Sequence, residues 1–144
     1  MSKQNTAIYN RVVEEIWNQK NSALIEETYA TDCVIHTPGG VLRGRSGFRQ
    51  LYETYTRAFP DCQATIEETL SEGDKVMVHY TFVGTHTGEL MGIAPSGKPV
   101  LVKGTAFARF AGGQIVEETT IWDTLGLMQQ IGAVPALGQA AGAE

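Results

Sequence analysis

The acid–base residue that stands out in the chain is Asp123, at the junction of a β-rich segment and an apolar helical stretch. Two roles are open to it. As a helix N-cap, its carboxylate accepts hydrogen bonds from the first free backbone N–H groups. As a carboxylate facing a partly apolar cavity, it would have a pKa raised by desolvation and serve as a base near neutral pH. The histidines, His36, His79 and His86, are far apart and form no HExxH-like pair, so no metal site is read from them. His79 falls mid-strand, as a structural or interface residue. His36 ends a strand beside a Pro-Gly turn, and His86 sits in a loop between Gly84 and Gly88. Either position suits a hydrogen bond to a ligand carbonyl or a purely structural one. Cys33 and Cys62 lack the spacing of a zinc site or a disulfide framework and read as reduced thiols. GxSxG, GxGxxG and P-loop patterns are absent, which leaves serine-hydrolase, dinucleotide and nucleotide-triphosphatase readings without support. The pairs Glu14-Glu15, Glu26-Glu27 and Glu67-Glu68 read as solvated edges of helices or strands.

The elements that must position these groups follow from periodicity. Ile8, Val12, Val13, Ile16 and Trp17 recur at helical spacing, which predicts an amphipathic helix from about Thr6 to Trp17. Ser22 is placed to cap a short second helix through Glu26 to Tyr29, and Ser46 a third, with Phe48, Leu51, Tyr52 and Tyr55 as its buried stripe before Pro60. Between them Cys33–His36 reads as a short strand ended by Thr37-Pro38-Gly39-Gly40. The period then changes. Strands are expected over Gln63–Ser71, Lys75–Gly84, Pro99–Phe110 and Gln114–Asp123, with a tight turn at Glu72-Gly73-Asp74 and a loop from Thr85 to Lys98. Leu125–Ile131 reads as a short helix closed by Gly132, and 139–144 as a mobile tail. Helices followed by an antiparallel meander define an α+β domain, assigned to residues 1–138.

Strand alternation sorts the side chains onto faces. Asp123, Ile121, Thr119, Glu117 and Ile115 share one face of the last strand, and Trp122, Thr120, Glu118 and Val116 the other. One face of the preceding strand reads Val100, Val102, Gly104, Ala106 and Ala108. A face so small and uncharged either packs tightly against helices or leaves volume for a ligand. The other face carries Leu101, Lys103, Thr105, Phe107 and Arg109.

Composition narrows the function classes. The chain has 144 residues, 42% hydrophobic and 19% charged, which fits one globular domain. A net charge of −5 with no Lys/Arg run argues against nucleic-acid binding, which needs a basic patch. No apolar run approaches the ~20 residues of a membrane span, and the N-terminus lacks a secretory signal pattern, so cytoplasmic residence is expected.

Several of these segments resemble one family in order and spacing. They are Phe59-Pro60-Asp61, Glu72-Gly73-Asp74-Lys75-Val76, the loop from Gly84-Thr85-His86-Thr87-Gly88 to Ala94-Pro95-Ser96-Gly97, Arg109-Phe110 through Glu117, and Asp123 with Gly126-Leu127-Met128-Gln129-Gln130-Ile131-Gly132. Together they resemble the SnoaL-like polyketide cyclases over nearly the whole chain. The resemblance implies the nuclear transport factor two-like fold: a curved antiparallel sheet wrapped by three N-terminal helices into a cone with a central pocket. It implies that Asp123 is the general acid/base of an intramolecular aldol cyclisation, without metal or organic cofactor. It also implies a homodimer or homotetramer, for which the Leu101, Phe107 and Arg109 face is the natural surface. One departure is Ala106, where the cyclases carry a histidine. A second is Thr37 before Pro38, where ketosteroid isomerases of the same fold carry their base.

The resulting expectation is a cofactor-independent enzyme acting on a small apolar carbonyl compound by cyclisation or a related proton transfer. Val102, Gly104, Ala106, Thr119 and Ile121 would line the cavity, with His36, Tyr80 and His86 as polar contacts. The alternative is a non-catalytic domain of the same fold that binds a small apolar ligand.

Overall fold

The computed structural model describes residues 2–135; the tail expected over 139–144 lies outside the described residues. Helix α1, Ser2–Arg11, continues as a π-helical stretch, Val12–Asn18, that buries Val12, Val13 and Ile16. A 3₁₀ turn at Ser22–Leu24 leads into the single-turn helix α2, Ile25–Thr28. Strand β1, Tyr29–Thr37, turns into β2, Gly40–Arg43. Helix α3, Gly44–Ala58, buries Phe48 and Tyr52 and ends in Phe59 before Pro60. Then come β3, Gln63–Glu72, β4, Lys75–Thr85, β5, Pro99–Ala111, and β6, Gln114–Trp122, followed by α4, Thr124–Gln130.

The six strands form one curved, unclosed sheet in the order β2-β1-β6-β5-β4-β3. Every neighbouring pair is antiparallel except β1 with β6, which run parallel. The architecture is the expected α+β arrangement, with three local differences. The Pro38-Gly39 turn reverses the chain into β2, because Val41 and Leu42 pair with His36 and Ile35. Ser46 lies inside α3, whose N-cap is Arg43 without a side-chain cap bond. Ser22 opens a 3₁₀ turn rather than capping an α-helix.

The sheet's registry holds the feature that matters most for the site. Arg109 pairs with Glu117, but the next pair is Phe110 with Ile115. Two steps on β6 therefore match one step on β5, so Val116 is the extra residue of a β-bulge. Strand parity reverses there. Ile115 is buried, and beyond the bulge the inward residues are Glu118, Thr120 and Trp122, while Thr119 and Ile121 point outward. A second shift, between Ile66 and Glu68 on β3, bends the far edge of the sheet.

The core follows from this curvature. The inner face packs Tyr29, Ile35, Val78, Ala106, Ala108 and Phe110 against Val12, Ile16 and Phe48 of the helices. A second cluster, around Phe59, Leu90, Val100 and Leu127, closes the end beneath α4. The loop after β4 is clamped there by the Gly88 N–H, which donates to Ala58 O at 3.0 Å. A Cβ on Gly88 would collide with the Arg57 carbonyl oxygen, so no larger residue fits without moving backbone. Gly88→Ala is expected to cost about 2–3 kcal/mol and lower the melting temperature. Chemical denaturation with an unchanged m-value is the check.

Candidate active site: a pocket with a carboxyl in its wall

Between the inner face of the sheet and the helices lies a cavity of about 90 Å³. A single water needs roughly 10–15 Å³ on that measure, so the space takes several waters or a small organic molecule. The helical wall is apolar: Val13, Trp17, Phe48 and Leu51, with Leu127 closing one end. The sheet wall is different, because β6 contributes Glu118, Thr120 and Trp122 in alternation.

Glu118 is 4% exposed and has no counter-ion among the described residues. Its partners are two phenols. The Tyr9 hydroxyl of α1 donates to Oε2 at 2.6 Å, and the Tyr29 hydroxyl of β1 donates to Oε1 at 2.6 Å. Burial pushes the Glu118 carboxyl above its ordinary range, and the two phenol hydrogen bonds offset that only in part. Burial next to this carboxyl also drives both tyrosines well above their usual range, so each stays a protonated donor. Tyr29 is fixed by stacking on Phe48, with centroids 4.1 Å apart.

A second polar contact sits two residues along β6. Tyr80 of β4 reaches across β5 to place its hydroxyl 3.2 Å from Thr120 Oγ1. It crosses over Gly104, where any Cβ would collide with the phenol oxygen. Burial raises the Tyr80 pKa to about 12, which keeps this hydroxyl protonated. The small face of β5 thereby acquires its purpose. Ala108, Ala106 and Gly104 pair with Glu118, Thr120 and Trp122, and their small side chains leave the polar row of β6 open to the cavity.

The sequence-derived site residues separate into three groups. Val102 and Tyr80 line the cavity. Gly104 and Ala106 lie buried on the same inner face. Thr119 and Ile121 are a correction: both are on the outer face, with Ile121 56% exposed, because the bulge at Val116 inverts the parity that uninterrupted alternation assumes. His36 is also away from the cavity; its Nε2 lies 2.9 Å from Glu117 Oε2. Glu117 accepts from Arg109 as well, and these contacts, His36 first, hold its carboxyl below the ordinary range. His86 is buried in the loop after β4, where Nδ1 accepts the Ser96 N–H at 3.1 Å.

Asp123 is the N-cap of α4. Its Oδ1 accepts the Gly126 N–H at 2.8 Å, it is exposed, and it is not among the cavity-lining residues. A Cβ at Gly126 would meet the capping carboxylate, so a larger residue there would have to displace the cap. Glu118, Tyr9 and Tyr29 are the residues that sequence reasoning passed over. The available signal was Glu118 itself, a carboxyl in the middle of a long strand, but only with the bulge recognised does it turn inward. Among the described residues no three His, Cys, Asp or Glu side chains come together as a metal site, and no helix is long and apolar enough to cross a membrane.

This fold and pocket define a small α+β domain built around a largely apolar pocket. The SnoaL-like polyketide cyclase family matches residues 7–131, and the chain belongs to that family. Solved structures agree. A candidate SnoaL-like polyketide cyclase from Jannaschia sp. CCS1 is 25% identical, with a TM-score of 0.86 over 93% of this chain and 95% of that one. IdmH, a candidate polyketide cyclase from Streptomyces antibioticus, is 30% identical, with a TM-score of 0.80 over 90% of this chain and 99% of that one. AclR, a candidate hydroxylase from Streptomyces galilaeus, is 25% identical, with a TM-score of 0.85 over 96% of this chain and 87% of that one. A search of curated proteins finds no match.

The raised pKa of Glu118 has a signed consequence for stability. The folded state holds this proton more tightly than the unfolded chain, whose glutamates titrate near ~4.3. Stability from this group is full below that value and is lost as pH rises through the higher folded pKa. Glu118→Gln removes the titration, so the variant is expected to gain stability relative to the parent across that window. Urea unfolding of both proteins at several pH values measures it. Tyr29→Phe, which strips one donor from the buried carboxyl, is expected to cost about 1–3 kcal/mol in the same assay.

Proposed function

We propose that this protein is a cofactor-independent acid–base enzyme that holds a small, largely apolar carbonyl compound in the pocket and moves its protons with Glu118. The observation that carries the reading is the Glu118 carboxyl: buried, bonded only to phenols and set in the wall of an apolar cavity. A carboxyl with a raised pKa, in a cleft, is matched to proton transfer from carbon near neutral pH.

The chemistry follows from the groups at hand. The Glu118 carboxylate removes a proton from the carbon beside a carbonyl, and the C–H electrons form an enolate. The Tyr80 hydroxyl, protonated and paired with Thr120, donates to the enolate oxygen. Where the same molecule carries a second carbonyl, the enolate carbon attacks it and a C–C bond forms. The new alkoxide then takes the proton back from Glu118, so the product is an isomer of the substrate. Family membership favours this aldol cyclisation over a simple isomerisation. The fold alone does not select the reaction, as the hydroxylase description of AclR illustrates.

Resemblance points instead to Asp123 as the acid/base, and the two assignments are separable. Asn caps helices about as well as Asp, so Asp123→Asn keeps α4 intact. Deuterium incorporation into α-tetralone in heavy water, followed by proton NMR, reads carbon acidity directly. The expected result is exchange that Glu118→Gln slows about 10²–10⁴-fold and Asp123→Asn leaves unchanged. The exchange rate should climb with pH through a pKa above the ordinary carboxylate range. The reverse pattern, with exchange lost only in Asp123→Asn, would return the role to Asp123. A second reading, a non-catalytic binding domain, is supported by Ala106 in place of the cyclase histidine. Ketone binding by the parent without any exchange would select it.

We also propose that the outer face of the sheet pairs with a second copy to give a homodimer or homotetramer. Leu101, Phe107 and Ile121 are exposed on that face, and exposed apolar surface on a sheet face marks contacts. Phe107→Glu combined with Ile121→Glu should yield a monomer in sedimentation analysis, while a parent that already sediments as a monomer overturns the pairing.

A further inference from the structure

The inward row of β6 does not end at Thr120. Trp122 follows at the next inward position, pairs with Gly104, and lines the cavity toward α4. Its indole nitrogen is buried and has no hydrogen-bond partner. Two other buried side-chain nitrogens among the described residues share that condition, His86 Nε2 and Gln129 Nε2, but neither residue lines the cavity. Buried tryptophan N–H groups ordinarily find an acceptor, and a buried donor left unpaired costs about 1–3 kcal/mol. A missing partner on a cavity wall therefore points to something that occupies the cavity.

Tyr55 of α3 stands over the same spot. Its ring meets the Trp122 ring edge-on, with centroids 5.4 Å apart and an interplanar angle of 81°. Burial raises the Tyr55 pKa, and the nearby indole N–H offsets this only in part. The indole N–H does not make an aligned hydrogen bond to the phenol. The phenol and the indole N–H thus lie side by side on the cavity wall at the α4 end, opposite the Glu118 end. Inward residues of a strand repeat about every 7 Å, so Glu118 and Trp122 are separated by about 14 Å along β6. The rest of the helical wall is Val13, Trp17, Phe48 and Leu51, whose one polar tip is the Trp17 indole, together with Tyr9, whose hydroxyl is already bonded to Glu118.

We propose that Trp122 Nε1 and the Tyr55 hydroxyl form a second oxygen-binding point, so that the pocket selects an elongated ligand carrying oxygens at both ends of one edge. The inference rests on the pocket being the ligand site, as in the function proposed above. It adds that a carbonyl near Glu118 and Tyr80 is not sufficient. A second acceptor oxygen, carbonyl or hydroxyl, is required at the far end, and a ligand with hydrocarbon there leaves the indole N–H unpaired and binds more weakly.

Two ketones isolate this second point. α-Tetralone carries one oxygen, and 6-hydroxy-α-tetralone adds a second at the opposite end of the same ring system. The parent is expected to bind the hydroxy ketone roughly five- to tenfold more tightly, the worth of about one hydrogen bond in a buried site. In Trp122→Phe that preference should vanish, and in Tyr55→Phe it should shrink. The chain holds two tryptophans, so the Trp122 indole N–H signal is identified in nitrogen–proton NMR spectra by its loss in Trp122→Phe. It should move downfield with the hydroxy ketone and not with α-tetralone. Should Trp122→Phe fail to fold, the NMR shift in the parent and the Tyr55→Phe affinities decide the matter. Equal affinity of the parent for the two ketones, or a preference that survives Trp122→Phe, overturns the proposal. Failure of both ketones to bind overturns the pocket reading with it. A preference of the expected size without deuterium exchange leaves the second oxygen point standing and removes only the catalytic role of Glu118.

Discussion

One extra residue in β6 governs the site. At Val116 two residues of β6 oppose one of β5, and every side chain beyond that point changes face. Without the bulge, Glu117, Thr119 and Ile121 would continue inward from Ile115, and the cavity would meet an aliphatic strand end. With it, Glu118, Thr120 and Trp122 turn in, and a carboxyl, a hydroxyl and an indole N–H stand in a row. The bulge also adds local twist, which suits the curvature that opens the cavity.

That row is tolerable only because other elements answer it. A carboxyl taken out of water needs partners, and Glu118 receives one from α1 through Tyr9 and one from β1 through Tyr29. Each hydroxyl comes from a different layer, so the same two bonds that satisfy the carboxyl tie the first helix and the first strand to the last strand. The residues of β5 facing the row are Gly104, Ala106 and Ala108, small enough for Tyr80 to cross and meet Thr120. A buried carboxyl satisfied by neutral donors costs stability relative to an apolar side chain of the same shape, which is a reason to look for its use in function.

Asp123 and Glu118 illustrate how two carboxylates in one strand region come to different ends. Asp123 stands just past the strand, exposed, with its oxygen engaged by the first turn of α4. Glu118 stands five residues earlier, enclosed, with its pKa pushed upward by burial. The capping residue is the one to which the resemblance of the closing segment pointed. The enclosed one carries the perturbed environment that acid–base chemistry on carbon needs.

Much was legible from residue types alone. Periodicity and turn chemistry located α1, α3, the long strands and the closing helix. The Gly- and Ala-rich face of β5 signalled an open or tightly packed interior, and the motif order indicated the family that the matched profile bears out. The β2 hairpin was hidden because Pro38-Gly39 reads equally as a strand end or a reversal, and two apolar residues are too few to show a period. The inward set of β6 was hidden for a deeper reason. Alternation is a local rule, whereas a bulge exists only in the pairing between two strands, and the chain carries no composition that marks Val116 as unpaired. Which carboxyl is buried, and which donors reach it from α1 and β1, are consequences of that pairing. The sequence by itself therefore determined the longer elements, the family and the small-residue face. Only the tertiary structure decided that the face looks onto Glu118 rather than Asp123, because registry is a property of two strands together.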